Sequence, residues 1–155
     1  TQDYTVKWRP VFYDLDFGFK SYSRDIIGQY FNANGVPSAD GSLTYFEIYI
    51  GLKKNASWRE YCVERYVEVV ETYFNSDRAT ALLDEMAAAL RPEMPRQIAK
   101  WRKPYSMSAW EDAIQDLRNI AEKRPEYALE NMREYFGVSE ERLAELIAKY
   151  APSGS

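Results

Sequence analysis

From residue 58 almost to the C-terminus, the apolar residues of this chain recur three and four apart, a spacing that only a helix gathers onto one face. Trp58, Tyr61, Cys62, Tyr66, Val69, Val70, Tyr73 and Phe74 form one stripe and predict a helix over 58–74. Leu82, Leu83, Met86 and Leu90 predict a second over 77–90, and Met94, Ile98 and Trp101 a short third over 92–101. From Trp110 a stripe runs through Ala113, Ile114, Leu117, Ile120 and Ala121. It resumes beyond Pro125 with Ala128, Met132, Tyr135 and Phe136 in the same phase, so one kinked helix and two helices fit equally. Ser57 with Glu60, and Ser108 with Glu111, have capping-box spacing. Ser139 is a third candidate cap, with Val138 and Leu143 at the positions of a hydrophobic staple, and Gly137 suits the end of the preceding helix. Residues 43–151 therefore read as almost wholly helical.

The first 42 residues follow other rules. Val6, Trp8 and Phe12 share one parity while Lys7 and Arg9 take the other, which predicts a short strand with Pro10 at a bend or edge. It runs into Asp14-Leu15-Asp16-Phe17-Gly18. Two carboxylates spaced two apart at a strand end suit a hard cation such as Mg²⁺. Asp16-Phe17-Gly18 also spells the triplet whose aspartate, in protein kinases, holds metal on the nucleotide phosphates. Residues 1–18 are thus read as strand and metal loop. Residues 19–42 are read as a turn-rich segment interrupted by a short helix near 23–31, and residues 152–155 as a linker or tag. A lone strand needs partners for its backbone groups. Residues 43–52 could supply them, but a sheet upstream of Thr1 is the favoured source. Ser21, Tyr22 and Ser23 follow the triplet where kinases place an activation segment, and read as a polar loop.

The composition narrows the chemistry. A length of 155 residues fits one domain, and 46% apolar residues is too many for a disordered chain. A net charge of −4 and a pI near 5.0 argue against nucleic acid as a partner. No apolar run reaches the roughly 18 residues of a membrane span. No histidine occurs, which removes Ser-His-Asp and Cys-His nucleophiles and the usual zinc sites. Cys62 is the only cysteine, so no internal disulfide forms; on its stripe it reads as buried. Arg65 and Arg124 also fall on apolar stripes. Such an arginine either snorkels at the stripe edge or pairs with a carboxylate. Asp14, Asp16 or a helix-borne Glu would serve, bracing the metal loop from behind. The aromatic residues Tyr45, Tyr49, Trp58, Tyr61, Tyr73, Trp101, Tyr105 and Trp110 could stack on sugars. Their helical spacing favours core packing instead.

Four segments, in order over residues 6–137, resemble the spore-coat protein H (CotH) kinases. Lys7 to Gly18 is similar to a family stretch in which a tryptophan precedes D-x-D and F-G. Trp58-Arg59-Glu60-Tyr61-Cys62-Val63-Glu64-Arg65-Tyr66 resembles a family helix reading F-R-x-x-F-x-x-R. Arg91 to Trp101 resembles an E-M-x-R-H-I-x-R-W segment, with Gln97 in place of the histidine, and Trp110 to Arg124 resembles a helix ending in a family arginine. The resemblance implies an atypical kinase-like fold that phosphorylates exported proteins with ATP and Mg²⁺, on spore or cell surfaces. It places the metal at Asp14 or Asp16 without choosing between them. The family's catalytic aspartate, metal-binding asparagine, phosphate loop and nucleotide-binding lysine lie upstream of this motif and have no counterpart in residues 1–13. The expected fold is therefore mainly α, the helical C-terminal lobe of such a kinase preceded by a short strand and the metal loop. Its expected partners are the upstream part of the same protein and a protein substrate. Neither Mg²⁺ nor ATP is expected to bind the isolated chain tightly. The rival expectation is a non-catalytic helical interaction module of an exported or cell-surface protein, with carbohydrate association as a variant.

Overall fold

The structure, a computed structural model, describes residues 19–31 and 46–152. These form α1 (Ile26–Phe31), α2 (Phe46–Leu52), α3 (Ala56–Tyr73), α4 (Ser76–Leu90), a 3₁₀ turn (Arg91–Glu93), α5 (Met94–Trp101), α6 (Met107–Phe136) and α7 (Glu140–Tyr150). No strand occurs among the described residues. The strand expected over Val6–Tyr13 and the Asp14–Gly18 loop lie outside them. The alternative in which residues 43–52 pair with that strand is overturned for Phe46–Leu52, which are helical.

Helix α6 is the spine. It packs against α3 and α4, and α7 closes on α3. Val63, Val67 and Val70 fall on one face of α3 and meet Leu129 and Met132 of α6 and Leu146 of α7 in the main core. Met132, Leu146 and Val67 are fully enclosed there. A second, smaller core joins Ala87 of α4, Met94 of α5 and Trp110 of α6. Ion pairs staple the outside: Arg118 forks onto Asp84 between α6 and α4, and Arg142 and Lys149 of α7 reach Glu60 and Glu64 of α3.

The sequence left open whether Pro125 divides one helix or two; it lies inside a single continuous α6. Proline lacks the N–H that would bond the Ala121 carbonyl, and its ring pushes the carbonyls of the preceding turn outward. One of these, Glu122 O, accepts a hydrogen bond from Ser76 Oγ at 2.9 Å, from the first turn of α4. The neighbouring helix α4 is thereby seated on the turn that precedes the proline.

Two expected caps are corrected. Asn55, not Ser57, caps α3, accepting from Trp58 N at 3.0 Å. Ser106, not Ser108, caps α6, accepting from Ala109 N at 3.1 Å. Both helices begin two residues earlier than the Ser-x-x-Glu spacing implied, because Asn and Ser cap equally well and the earlier residue was free to do so. Ser139 caps α7 as expected, accepting from Arg142 N at 3.2 Å. Gly137 ends α6 with φ of 66°, in the left-handed region that favours glycine. The short helix near 23–31 starts later, at Ile26.

The aromatic expectation is also corrected. Of the aromatics assigned to the core, Trp110 is buried and Trp58 half-buried. Tyr49, Tyr61, Tyr73, Trp101 and Tyr105 are exposed, Tyr105 at 81%; Tyr45 lies outside the described residues. Cys62 is half-buried rather than enclosed. The stripes are wider than the surface that neighbouring helices cover, so their edges remain in solvent.

Candidate functional site

The segment that directly follows Asp14-Leu15-Asp16-Phe17-Gly18 lies on α6, and that helix grips it at several points. Arg124 Nη1 donates to the carbonyl of Tyr22 at 2.9 Å and to that of Arg24 at 2.7 Å. Asn131 Nδ2 donates to the same Arg24 carbonyl at 3.5 Å. The Tyr22 ring packs on Tyr127 with centroids 5.3 Å apart, and Lys123 Nζ stands 5.0 Å from the Tyr22 ring. Lys123, Tyr127 and Asn131 recur every four residues, so the turns of α6 bring them to one side of the helix. Asp25 then starts α1, its Oδ1 accepting from Gly28 N at 2.7 Å.

An apolar floor lies beneath this contact. Phe19, Tyr66, Val69, Val70, Phe74, Pro125 and Ala128 line a cavity of about 280 Å³ with Arg124 at its edge. Burial pushes the Tyr66 phenol above its ordinary pKa; the Arg124 charge opposes this and the Asp25 carboxylate reinforces it. The three groups therefore share one electrostatic neighbourhood, where α1, α3 and α6 meet.

The two arginines singled out by the sequence separate here. Arg124 makes the contacts above and no ion pair among the described residues. Arg65 is 49% exposed on the side-chain scale and pairs with Glu68 one turn on, the snorkelling arrangement with a helix-borne partner. It touches no residue of the 19–25 segment among the described contacts. Asp14 and Asp16 lie outside the described residues, so their distance from either arginine is not part of this geometry. Among the described residues no group of three or more His, Cys, Asp or Glu side chains is placed to hold a metal.

Asn131, Lys123 and Tyr127 were not marked by the sequence, and Tyr66 was marked only as a member of the α3 stripe. The four-residue spacing of the first three on α6 was visible. Nothing visible linked that face to residues 100 positions earlier.

A second concave surface lies between α2, α3 and the end of α6. It encloses about 440 Å³ and is almost wholly apolar, with Tyr49, Trp58, Tyr61, Cys62, Tyr135 and Phe136 among its walls. Trp58 stands 6.3 Å from Phe136 and 6.4 Å from Tyr49, ring to ring. Burial raises the Cys62 thiol pKa, which disfavours the reactive thiolate.

A protein-family model described as "CotH kinase protein" matches residues 1–128. The match takes in the D-L-D-F-G motif, the anchored segment and α6 as far as Ala128. No curated protein and no solved structure matched the chain.

Proposed function

Because the chain belongs to the CotH kinase protein family, we propose that it forms the helical lobe and metal loop of a CotH-like protein kinase, transferring phosphoryl groups from ATP to protein hydroxyls. The observation that carries the proposal is that the family match spans residues 1–128, from before Asp14-Leu15-Asp16-Phe17-Gly18 into α6. Asp14 or Asp16 would hold Mg²⁺ against the nucleotide phosphates, where the ion neutralises charge in transfer. Arg124, Asn131 and Tyr127 would keep the chain immediately after that loop in register on a rigid helix. The catalytic aspartate and the nucleotide site would come from sequence preceding the motif, so residues 1–155 alone would supply support and metal ligands but no complete active site.

Asp14→Asn and Asp16→Asn, each in the longer kinase, test this. At least one is expected to abolish phosphorylation of the protein acceptor while the helical circular dichroism spectrum stays unchanged. Undiminished phosphorylation in both overturns the assignment. The isolated 155-residue chain is expected to turn over no ATP, and measurable turnover overturns the proposed division of labour.

The apolar groove bounded by Tyr49, Trp58 and Tyr61 favours a second reading, a non-catalytic interaction module at an exported surface. Tyr61 is exposed at its rim, so a ligand with stackable faces, such as a glycan, could reach it. Glycan-array binding lost in Tyr61→Ala supports the module; an array with no binder removes the carbohydrate variant.

A further inference from the structure

Helix α4 buries Ala87 against α5 and α6, and its opposite face is exposed. Arg78, Ala81, Leu82, Glu85, Met86 and Ala89 occupy that outward face, all exposed. Leu82 is 55% and Met86 58% exposed, large apolar side chains one turn apart with small alanines beside them. A solvated helix face ordinarily carries charge, and a contiguous apolar one marks a contact surface. The only charges on this face are of opposite sign. Arg78 and Glu85 stand seven residues apart on one flank of the Leu82–Met86 strip. Neither has an ion-pair partner among the described residues, whereas Asp84 on the adjoining face is paired with Arg118.

We propose that this face docks onto the same face of a second copy of the chain, α4 against α4, antiparallel. A two-fold axis between Ala81 and Leu82 sets Leu82 of each copy against Ala81 of the other. It also brings Arg78 of each copy opposite Glu85 of the other, so both unpaired charges are matched twice over. A parallel arrangement would set Arg78 against Arg78 and Glu85 against Glu85, a like-charge penalty. The alanines at 81 and 89 leave room for the larger side chains of the facing helix. An isologous contact of this kind is self-complementary by construction. Its area is that of one helix face per copy, small against the roughly 800 Å² per partner of a standard interface, so the dimer is weak. This inference does not depend on the kinase assignment.

Sedimentation equilibrium of the 155-residue chain tests it, with four variants whose changes are all on the exposed face. Wild type is expected to show a reversible monomer–dimer equilibrium. Arg78→Glu and Glu85→Arg each weaken it about tenfold by placing like charges opposite one another, and the double swap restores it to within about threefold of wild type. Leu82→Lys abolishes it. A chain that stays monomeric to about 1 mM overturns the proposal. So does a dimer that the double swap fails to rescue, or one that all four variants leave intact.

Discussion

A guanidinium that donates to main-chain carbonyls does a different job from one in an ion pair. Arg65 reaches Glu68 at the surface, where solvent and salt screen such pairs and they contribute little. Arg124 fixes two carbonyls of a segment that has little regular structure of its own, and a charged donor there contributes more per bond. Arg124→Gln is expected to cost about 1–2 kcal/mol of local stability, a roughly 5–30-fold rise in opening of residues 19–25. Trypsin reads this directly, because Lys20 and Arg24 lie inside the segment: cleavage there accelerates while cleavage within α3 does not. Arg124→Lys keeps the charge but loses the planar fork, and falls between the two. Equal cleavage rates in all three proteins would show that the carbonyl contacts hold nothing in place. The sequence made Arg124 conspicuous by setting it on an apolar stripe. It could not reveal the partners, because backbone carbonyls carry no side-chain signature and these lie 102 and 100 residues away.

Local chemistry governs how the helices begin and end, and the sequence was most legible there. Ser139 and Gly137 act within a few residues of themselves and behave as read. Ser57 and Ser108 misled only because a competing cap stood two residues earlier in each case. Pro125 is the informative exception, since its accommodation depends on another element. Pro125→Ala returns an N–H to α6 and removes the ring from the preceding turn, so it is expected to stabilise the chain by up to ~3 kcal/mol. Ser76→Ala, which deletes the donor to Glu122 O, costs about 1 kcal/mol in the native background. In the Pro125→Ala background that cost shrinks, because without the ring the turn that carries Glu122 O closes back toward regular helix. Urea unfolding of the two single variants and the double gives the coupling directly. Purely additive costs would separate the Ser76 hydrogen bond from the proline.

Across the whole molecule, periodicity identified which residues are helical but overstated how many are enclosed. A stripe marks a face; only the number and placement of neighbouring helices decide how much of it is covered. Tyr61, Trp101 and Tyr105 were assigned to a core that does not extend to them. Electrostatics acts at this scale too, because α7, packed into the core through Leu146, also meets α3 through charged contacts around the rim. The Lys149 ammonium and the Tyr150 hydroxyl, hydrogen-bonded to Glu64, hold its carboxyl below the ordinary range. A carboxyl depressed on folding stabilises the native state above its unfolded pKa, and that contribution is lost as pH falls through the folded value. Glu64→Gln is therefore expected to lower the urea midpoint at pH 7, by a margin that narrows as the pH falls below the ordinary glutamate range. A deficit that persists unchanged at pH 3 would assign the effect to packing instead of charge.

The 30-residue α6 carries both cores, with Trp110 near one end and Leu129 and Met132 near the other, and Pro125 between them. Two cores threaded on one rod need not melt as one. The larger, where α3, α6 and α7 interlock, should outlast the smaller one around Ala87, Met94 and Trp110. Amide hydrogen exchange is then expected to fall into two tiers along a single helix. Amides before the proline would trade their hydrogens together with those of α5, and amides beyond it only in step with global unfolding. Uniform protection along α6 would mean instead that the rod transmits cooperativity across its own missing hydrogen bond.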